Sequence, residues 1–237
     1  MLHDLKQQVL EANLRLPSSG LVRLTWGNVS GVDRAAGVMV IKPSGVAYGE
    51  LRLEDMVVMD LESGSVVEGR LNPSSDAPTH LALYRAWEGI GGVCHTHSPY
   101  ATAWAQAGRP LPCYGTTHAD HFYGTVPLCR ILTPEETAAA YEALTGTAIV
   151  ETFRYLNIDP VAVPGVLQHH HAPFTWGKNA LAALDNSIAL EMCAQMALDM
   201  LQVNPEAEPL PRHLLDKHFL RKHGPGAYYG QGGPEAH

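Results

Sequence analysis

The chain has 237 residues, 46% of them hydrophobic, a composition that suits a folded core and excludes a disordered or collagen-like chain. The 16 Lys and Arg against 24 Asp and Glu give a net charge of −8, which argues against nucleic-acid or membrane partners because these need a basic field. No apolar run approaches the ~18–20 residues of a membrane helix, and we expect no signal peptide. The four cysteines form no Cys-x-x-Cys pair, so we expect reduced thiols in a cytoplasmic protein.

The N-terminal half of the sequence predicts an irregular mixture of helices and short strands. Apolar residues at a 3–4 spacing predict an opening helix from Leu2 that ends near Pro17. The next predicted elements are a strand over Val38–Ile41, a hairpin of Met56–Leu61 with Ser65–Glu68, a helix over Ala77–Trp87 capped by Asp76, a strand over Gly92–Thr96, and a helix from Ser98 that stops at Gly108.

The C-terminal half predicts longer helices. Thr133 to Glu136 form a capping box with Pro in the first turn. Further elements are predicted as strands over Thr147–Glu151 and Val166–His171, then helices over Asn179–Val203 and Pro211–His223. Because strands and helices do not alternate as in a parallel βαβ fold, the sequence predicts one α+β domain with a mostly antiparallel sheet.

Histidines at two predicted strand ends indicate a metal site. His95 and His97 are two residues apart, so on a strand both imidazoles point to the same face and can converge on one ion. The run from His169 to His171 ends a later strand, where alternation puts its first and third members on one face. Three neutral histidines with an open position are typical of a catalytic divalent-metal site.

Small-residue turns form a second set of candidates. Trp26-Gly27-Asn28, Lys42-Pro43-Ser44-Gly45 and Asn72-Pro73-Ser74-Ser75 expose backbone N–H groups and hydroxyls, which together with a lysine can hold a phosphate. Ordinary turns would explain each of them equally well. The sequence has no Gly-x-Gly-x-x-Gly and no Walker lysine loop, which disfavours a dinucleotide or NTP enzyme.

Taken together, eight stretches resemble the sugar-phosphate epimerase branch of the class II aldolase/adducin family. They are LTWGNVS (24–30), IKPSGV (41–46), DMVVMD (55–60), PSSDAPTH (73–80), HTHSPYATAWAQAG (95–108), GTTHAD (115–120), PGVLQHHHAPFTWGKNA (164–180) and LRKHGPGAYYGQ (220–231). The resemblance implies a three-layer α/β/α fold with a central, mainly antiparallel sheet. It also implies one catalytic domain over 1–231, a loose tail over 232–237, and a cyclic homotetramer with active sites between subunits.

The family's functional residues match positions of this chain one by one. The resemblance implies one divalent ion per subunit, usually Zn²⁺, held by His95, His97 and His171, with Asp76 beside or on it. It implies a substrate and phosphate pocket of Gly27, Asn28, Lys42, Ser44, Gly45, Ser74 and Ser75. It implies Asp120 and Tyr229 as the acid/base pair, with Tyr229 from the adjacent chain, and His218 and Arg221 near the site.

The implied activity is inversion of C4 of L-ribulose 5-phosphate by cleavage and re-formation of the C3–C4 bond. A class II aldolase that releases its fragments is an alternative, although such aldolases usually carry Glu where this chain has Asp76. An adducin-like binding module is a third, disfavoured because that branch lacks the three histidines. Three positions depart from the family pattern, His121, His170 and Ala172, and none of them removes an implied ligand or acid/base residue.

Overall fold

The structure, a computed structural model, describes residues 2–229. Its helices are α1 (Leu2–Ser18), α2 (Ala77–Ala86), α3 (Pro99–Gln106), α4 (Thr116–Ala119), α5 (Pro134–Leu156), α6 (Ala180–Val203) and α7 (Arg212–His223). Its strands are β1 (Asn28–Asp33), β2 (Val38–Ile41), β3 (Val57–Asp60), β4 (Val66–Glu68), β5 (Gly92–His95), β6 (Gly165–Leu167) and β7 (Pro173–Gly177). No described helix is both long and apolar enough to cross a membrane.

All seven described strands form one sheet in the order β4-β3-β2-β1-β5-β7-β6, with every strand pair antiparallel. An isolated parallel bridge joins Leu128 to Leu167. The central pairing sets Asn28 of β1 opposite His95 of β5, and His95 opposite Phe174 of β7. The register therefore brings a candidate substrate ligand and a candidate metal ligand to the same end of the sheet.

Alternation along the strands divides the core into two layers of side chains, one on each face of the sheet. In β2, Met39 and Ile41 pack with α2, α3 and α5, whereas Val40 packs with α1 and the start of α6. In β5, Val93 belongs to the same layer as Met39 and Ile41, and Cys94 belongs to the same layer as Val40. Helices cover both faces, which confirms the expected three-layer α/β/α fold with an antiparallel sheet.

Most predicted elements are confirmed, and two strand predictions are wrong. Thr147–Glu151 lies inside α5, because the helix begun by the Thr133 cap continues to Leu156. The strand predicted over Val166–His171 ends at Leu167, and the three histidines that follow lie outside it. Residues 230–231 and the predicted tail over 232–237 lie outside the described residues.

Candidate metal centre and active site

Three histidines converge at the end of the central strands. His95 ends β5, His97 follows two residues later, and His171 comes from the segment between β6 and β7. One ring nitrogen of each lies within 4.8 Å of the others. The Nε2 atoms of His95 and His97 are 3.2 Å apart. Tetrahedral zinc with Zn–N bonds of ~2.0–2.1 Å would separate two ligand nitrogens by about 3.3 Å, so the donor set fits a divalent ion.

Two contacts with β7 orient the side chain of His95. Its Nδ1 lies 2.9 Å from the carbonyl oxygen of Pro173, and its ring stacks on Phe174 with centroids 4.1 Å apart. Because a carbonyl can only accept, Nδ1 must carry the proton, which leaves the Nε2 lone pair free for a ligand. This is the arrangement of a metal-binding histidine held by an outer hydrogen bond.

The environment also lowers the pKa of two members of the triad, His97 and His171. Partial desolvation and the neighbouring His95 lower the pKa of His97 to about 4. Desolvation and the other two rings lower the pKa of His171 to about 3. Both imidazoles are therefore neutral at pH 7, and a metal ion would not have to displace a proton from either of them.

The structure brings His171, and not His169, to the triad. Alternation along a strand would place both side chains on the face of the triad, but the strand ends at Leu167 and the chain turns here. His170 adopts a left-handed backbone with φ of 58°, which directs its two neighbours differently. His169 lies beside Gly108, so closely that a Cβ at Gly108 would be 2.7 Å from its Nε2. His169 therefore belongs to the α3 side of the molecule.

Asp76 is a member of a hydrogen-bonded group beside the triad. Its carboxylate accepts a 2.7 Å hydrogen bond from the amide of Asn28, which also donates to the hydroxyl of Ser74 at 3.0 Å. Burial opposes ionisation, but His95, His80 and the Asn28 amide keep the pKa of Asp76 below its usual value. The prediction that Asp76 caps α2 is wrong for the side chain, which makes no capping bond because it turns towards the cleft.

A cleft of about 640 Å³ opens in front of these groups. It is lined by every residue expected in the metal and phosphate sites, namely Gly27, Asn28, Lys42, Ser44, Gly45, Ser74, Ser75, Asp76, His95, His97 and His171. Lys42 is buried, with its ammonium 5.1 Å from the centre of the Tyr48 ring. Desolvation lowers the pKa of Lys42 to about 8. The cleft thus combines a cation with turns rich in N–H and hydroxyl groups.

Gly27 is required where β1 enters the cleft. It has a φ of +81°, and a Cβ there would lie 2.8 Å from the carbonyl oxygen of His95 and 2.9 Å from Val22. A side chain at this position would push apart the two chain segments that carry Asn28 and His95. The glycine therefore sets the spacing between the candidate substrate ligand and the metal ligand.

A second cluster of charged residues forms where α7 packs on the end of α4. Asp120 accepts hydrogen bonds from Arg221 at 2.8 and 3.0 Å and from His218 at 3.1 Å. Lys222 lies 3.7 Å from the same carboxylate. Although burial opposes ionisation, Arg221 and His218 hold the pKa of Asp120 below its usual value. We call Asp120, His218, Arg221, Lys222 and Tyr229 the Asp120 cluster.

Tyr229 joins this cluster from the end of the described chain. Its ring lies 4.9 Å from the Arg221 guanidinium and 4.5 Å from the Lys222 ammonium, and it is 60% exposed. Neither Asp120 nor Tyr229 lines the metal cleft. The fold holds both residues together on one surface, and the expectation that Tyr229 reaches an active site from an adjacent chain stays a prediction.

Two cleft residues were missed by sequence reasoning. Tyr141 and Glu142 line the cleft from within α5. Neither belongs to a stretch that carried the resemblance, and a tyrosine and a glutamate inside a helix carry no local signal of a site. The irregular backbone that directs them, at Ala140, is equally invisible in the sequence.

Comparison with known proteins defines the class. The model of the class II aldolase and adducin N-terminal domain matches residues 7–198, and the chain belongs to this family. The chain is 52% identical over 230 residues to the L-ribulose-5-phosphate 4-epimerase UlaF of Salmonella paratyphi B, covering 97% of this chain and 100% of that protein. The homologue of Salmonella typhi is equally similar.

Solved structures agree on the fold. An L-fuculose 1-phosphate aldolase superimposes with a TM-score of 0.76 at 28% identity, covering 91% of this chain and 94% of that one. An aldolase II superfamily protein from Pseudomonas syringae gives a TM-score of 0.75 at 16% identity, covering 95% and 88%. The second likeness concerns the fold alone.

Proposed function

We propose that this protein is an L-ribulose-5-phosphate 4-epimerase, a metal-dependent isomerase that converts its substrate to D-xylulose 5-phosphate. The observation that carries the proposal is the cleft in which three converging histidines face a buried lysine and turns of small residues. The identity of 52% over 97% of the chain to an epimerase of that name supports this substrate.

The proposed cofactor is one Zn²⁺ per subunit, held by His95, His97 and His171, with Asp76 as a ligand or as a neighbour of the ion. Imidazole ligands suit zinc, and three protein ligands leave a position open for substrate. When bound, the ion would supply a Lewis acid that stabilises negative charge on substrate oxygens.

The proposed phosphate site lies at the turns that line the same cleft. Lys42 supplies the positive charge, while Ser44, Ser74 and Ser75 offer hydroxyl and backbone N–H donors. Gly27 and Gly45 have the positive φ that these turns require and that residues with a side chain rarely adopt. Asn28, fixed by Asp76 and Ser74, orients the sugar beside the triad.

Inversion at C4 requires cleavage of a carbon–carbon bond. In a 2-ketopentose 5-phosphate the C4 hydrogen is not adjacent to the carbonyl, so its removal would give an unstabilised carbanion. Cleavage of C3–C4 instead gives the enediolate of dihydroxyacetone and glycolaldehyde phosphate, and rotation of the aldehyde before the bond re-forms inverts C4. The phosphate site keeps this fragment bound between the two steps.

Two groups must move the proton of the C4 hydroxyl, one on each face of the aldehyde. We assign these roles to Asp120 and Tyr229 of a neighbouring subunit, with Arg221 and His218 keeping Asp120 ionised. The proposal therefore requires a homo-oligomer, which we propose is a cyclic homotetramer. We further propose that residues 1–231 form the single catalytic domain and that the enzyme works in the cytoplasm.

Solvent isotope exchange tests the mechanism. Retro-aldol cleavage keeps the C4 hydrogen on carbon throughout, as the aldehyde hydrogen of glycolaldehyde phosphate. After epimerisation to equilibrium in D₂O, NMR of the re-isolated sugar phosphate should therefore detect no deuterium at C4. A substantial solvent label at C4 would overturn the mechanism and the roles of Asp120 and Tyr229 with it.

A class II aldolase that releases its fragments is the second candidate, favoured by the likeness to an L-fuculose 1-phosphate aldolase at 28% identity. Product analysis with L-ribulose 5-phosphate separates the two functions. We expect D-xylulose 5-phosphate as the main product, whereas accumulation of dihydroxyacetone and glycolaldehyde phosphate would favour the aldolase.

A further inference from the structure

Helix α5 is broken beside the metal cleft. Within Pro134–Leu156, Ala140 has a non-helical backbone with φ of −159° and ψ of 67°. Such breaks usually occur at proline or glycine, but the nearest of these, Pro134 and Gly146, are six residues away on either side. The two residues directly after the break, Tyr141 and Glu142, line the cleft. The irregularity thus occurs at the point where the helix reaches the candidate site.

The segment after the break is fastened to α2. The buried hydroxyl of Thr79 donates a 2.6 Å hydrogen bond to the carbonyl oxygen of Glu142. Gly146 lies so close to α2 that a Cβ there would be 2.5 Å from the Cβ of Ala82. The broken turn of α5 is therefore held at a fixed distance from α2.

Tyr141 directs its hydroxyl at a member of the triad. Its oxygen lies 3.4 Å from Nδ1 of His171. Among residues 2–229, this hydroxyl is the only hydrogen-bond partner of the His171 side chain. His95 has its Pro173 carbonyl in the same position, on the Nδ1 side away from the other histidines. His171, which comes from a turn and not from a strand, depends on Tyr141 for a corresponding restraint.

We infer that Tyr141 is a positioning residue for His171, directed there by the break at Ala140 and the Thr79 anchor. In this role Nδ1–H donates a hydrogen bond to the Tyr141 oxygen, and the tautomer with the proton on Nδ1 leaves the Nε2 lone pair free for a metal ion. The inference rests on the proposed metal centre. It assigns Tyr141 no contact with substrate, so its loss acts first on metal affinity.

Metal binding to Tyr141→Phe tests this inference, with affinity for Zn²⁺ measured by competition with a chromogenic chelator. We expect affinity to fall about 10-fold or more, because loss of an outer hydrogen bond to a metal ligand costs about 10–100-fold. Tyr155→Phe is the matched control, since Tyr155 lies on the same helix and is 89% exposed, and its affinity should equal that of the wild type.

The tautomer of His171 provides a second measurement, because it would not change if the role of Tyr141 were purely structural. In the metal-free protein, the ¹⁵N NMR shifts of His171 should indicate an Nδ1–H imidazole, and Tyr141→Phe should shift them towards a mixture of both tautomers. Thr79→Val, which removes the anchor, should weaken Zn²⁺ binding in the same direction and by less.

The outcomes separate this inference from the proposed function. Unchanged Zn²⁺ affinity and an unchanged His171 tautomer in Tyr141→Phe would overturn the role of Tyr141 and leave the metal centre intact. Unchanged affinity in Thr79→Val would overturn the anchoring step. A wild-type chain that binds no stoichiometric ion would overturn the proposed metal centre, and the inference with it.

Discussion

The metal cleft and the Asp120 cluster are built in opposite ways. In the cleft, Asn28, Lys42 and His95 are each at most 2% exposed, and they stand at the ends of central strands of the sheet. In the Asp120 cluster, Tyr229 is 60% exposed, and the residues come from the end of α4, from α7 and from the segment that follows α7. The first region is shaped by the core, whereas the second is shaped by ion pairs near the surface.

The difference corresponds to two chemical tasks. Holding a metal ion and a phosphate requires atoms fixed to within a fraction of an ångström, which paired strands supply. Proton transfer in the proposed reaction requires groups that approach the substrate from another direction. Because one chain does not bring its Asp120 cluster to its own cleft, the proposed active site needs two copies. The predictions below test this division.

The largest expected effect is loss of the metal centre. His97→Ala leaves two imidazoles, so we expect no stoichiometric metal after purification. Activity should fall by about 10²–10³-fold or more, since charge stabilisation is usually the largest catalytic contribution. Elemental analysis and an epimerase assay on the same sample measure both quantities.

His169→Ala is the matched control for that experiment. His169 is adjacent in sequence to the triad region but lies against Gly108, so its loss should leave metal content near the wild-type value. Equal loss of metal in His169→Ala and His171→Ala would refute the assignment of the third ligand.

The second expected effect is partial recovery by mixing two inactive chains. Asp120→Asn disables the surface cluster and His97→Ala disables the cleft, so each variant alone should be inactive. After subunit exchange at equal amounts, about one quarter of the sites in a symmetric oligomer should combine an intact cleft with an intact cluster. The assay is specific activity before and after exchange, with exchange followed by mass spectrometry of differently tagged chains.

Absence of recovery after confirmed exchange would show that the cluster serves its own chain or plays no part in the chemistry. Recovery with Asp120→Asn but not with an inactive Tyr229→Phe as the second chain would split the cluster, and would place Tyr229 in the active site of its own chain.

The sequence is more informative about the metal cleft than about the Asp120 cluster. His95-Thr96-His97 indicated a metal site by its own spacing, whereas the residues of the phosphate pocket were implied by the family resemblance, because their turns look ordinary in isolation. Strand alternation alone left both His169 and His171 open and the resemblance implied His171, while the left-handed backbone at His170 that separates them has no signal in the sequence. The position of Asp120 relative to the cleft needed the structure, because it depends on how α7 packs on the end of α4.

The fold was predictable where local signals agree with tertiary context. The capped helix α5 and the strand Val38–Ile41 have sequence patterns that match their burial. The prediction of a strand over Thr147–Glu151 was wrong because short apolar runs occur both in buried helices and in strands. The break at Ala140 carries no sequence signal, since alanine is the strongest helix former.

The smallest expected effect is the dependence of substrate binding on the charge of Lys42. Burial lowers the pKa of Lys42 to about 8, so the free enzyme loses this cation as pH rises through 8. kcat/KM should therefore decline above pH 8, by at most about tenfold per pH unit, because it reports ionisations of the free enzyme. kcat should decline less, since a bound phosphate stabilises the ammonium and raises its pKa.

The variant Lys42→Met identifies the group responsible. It should have a lower kcat/KM at pH 7 and no decline near pH 8, because no ammonium remains to titrate. Tyr48 does not contribute to a decline near pH 8, because burial raises the pKa of its hydroxyl well above that pH. Unphosphorylated L-ribulose is the matched substrate control, and its slow turnover should lack the alkaline decline in the wild type. A decline that persists in Lys42→Met would assign it to another group, and an unchanged kcat/KM at pH 7 would separate Lys42 from phosphate binding.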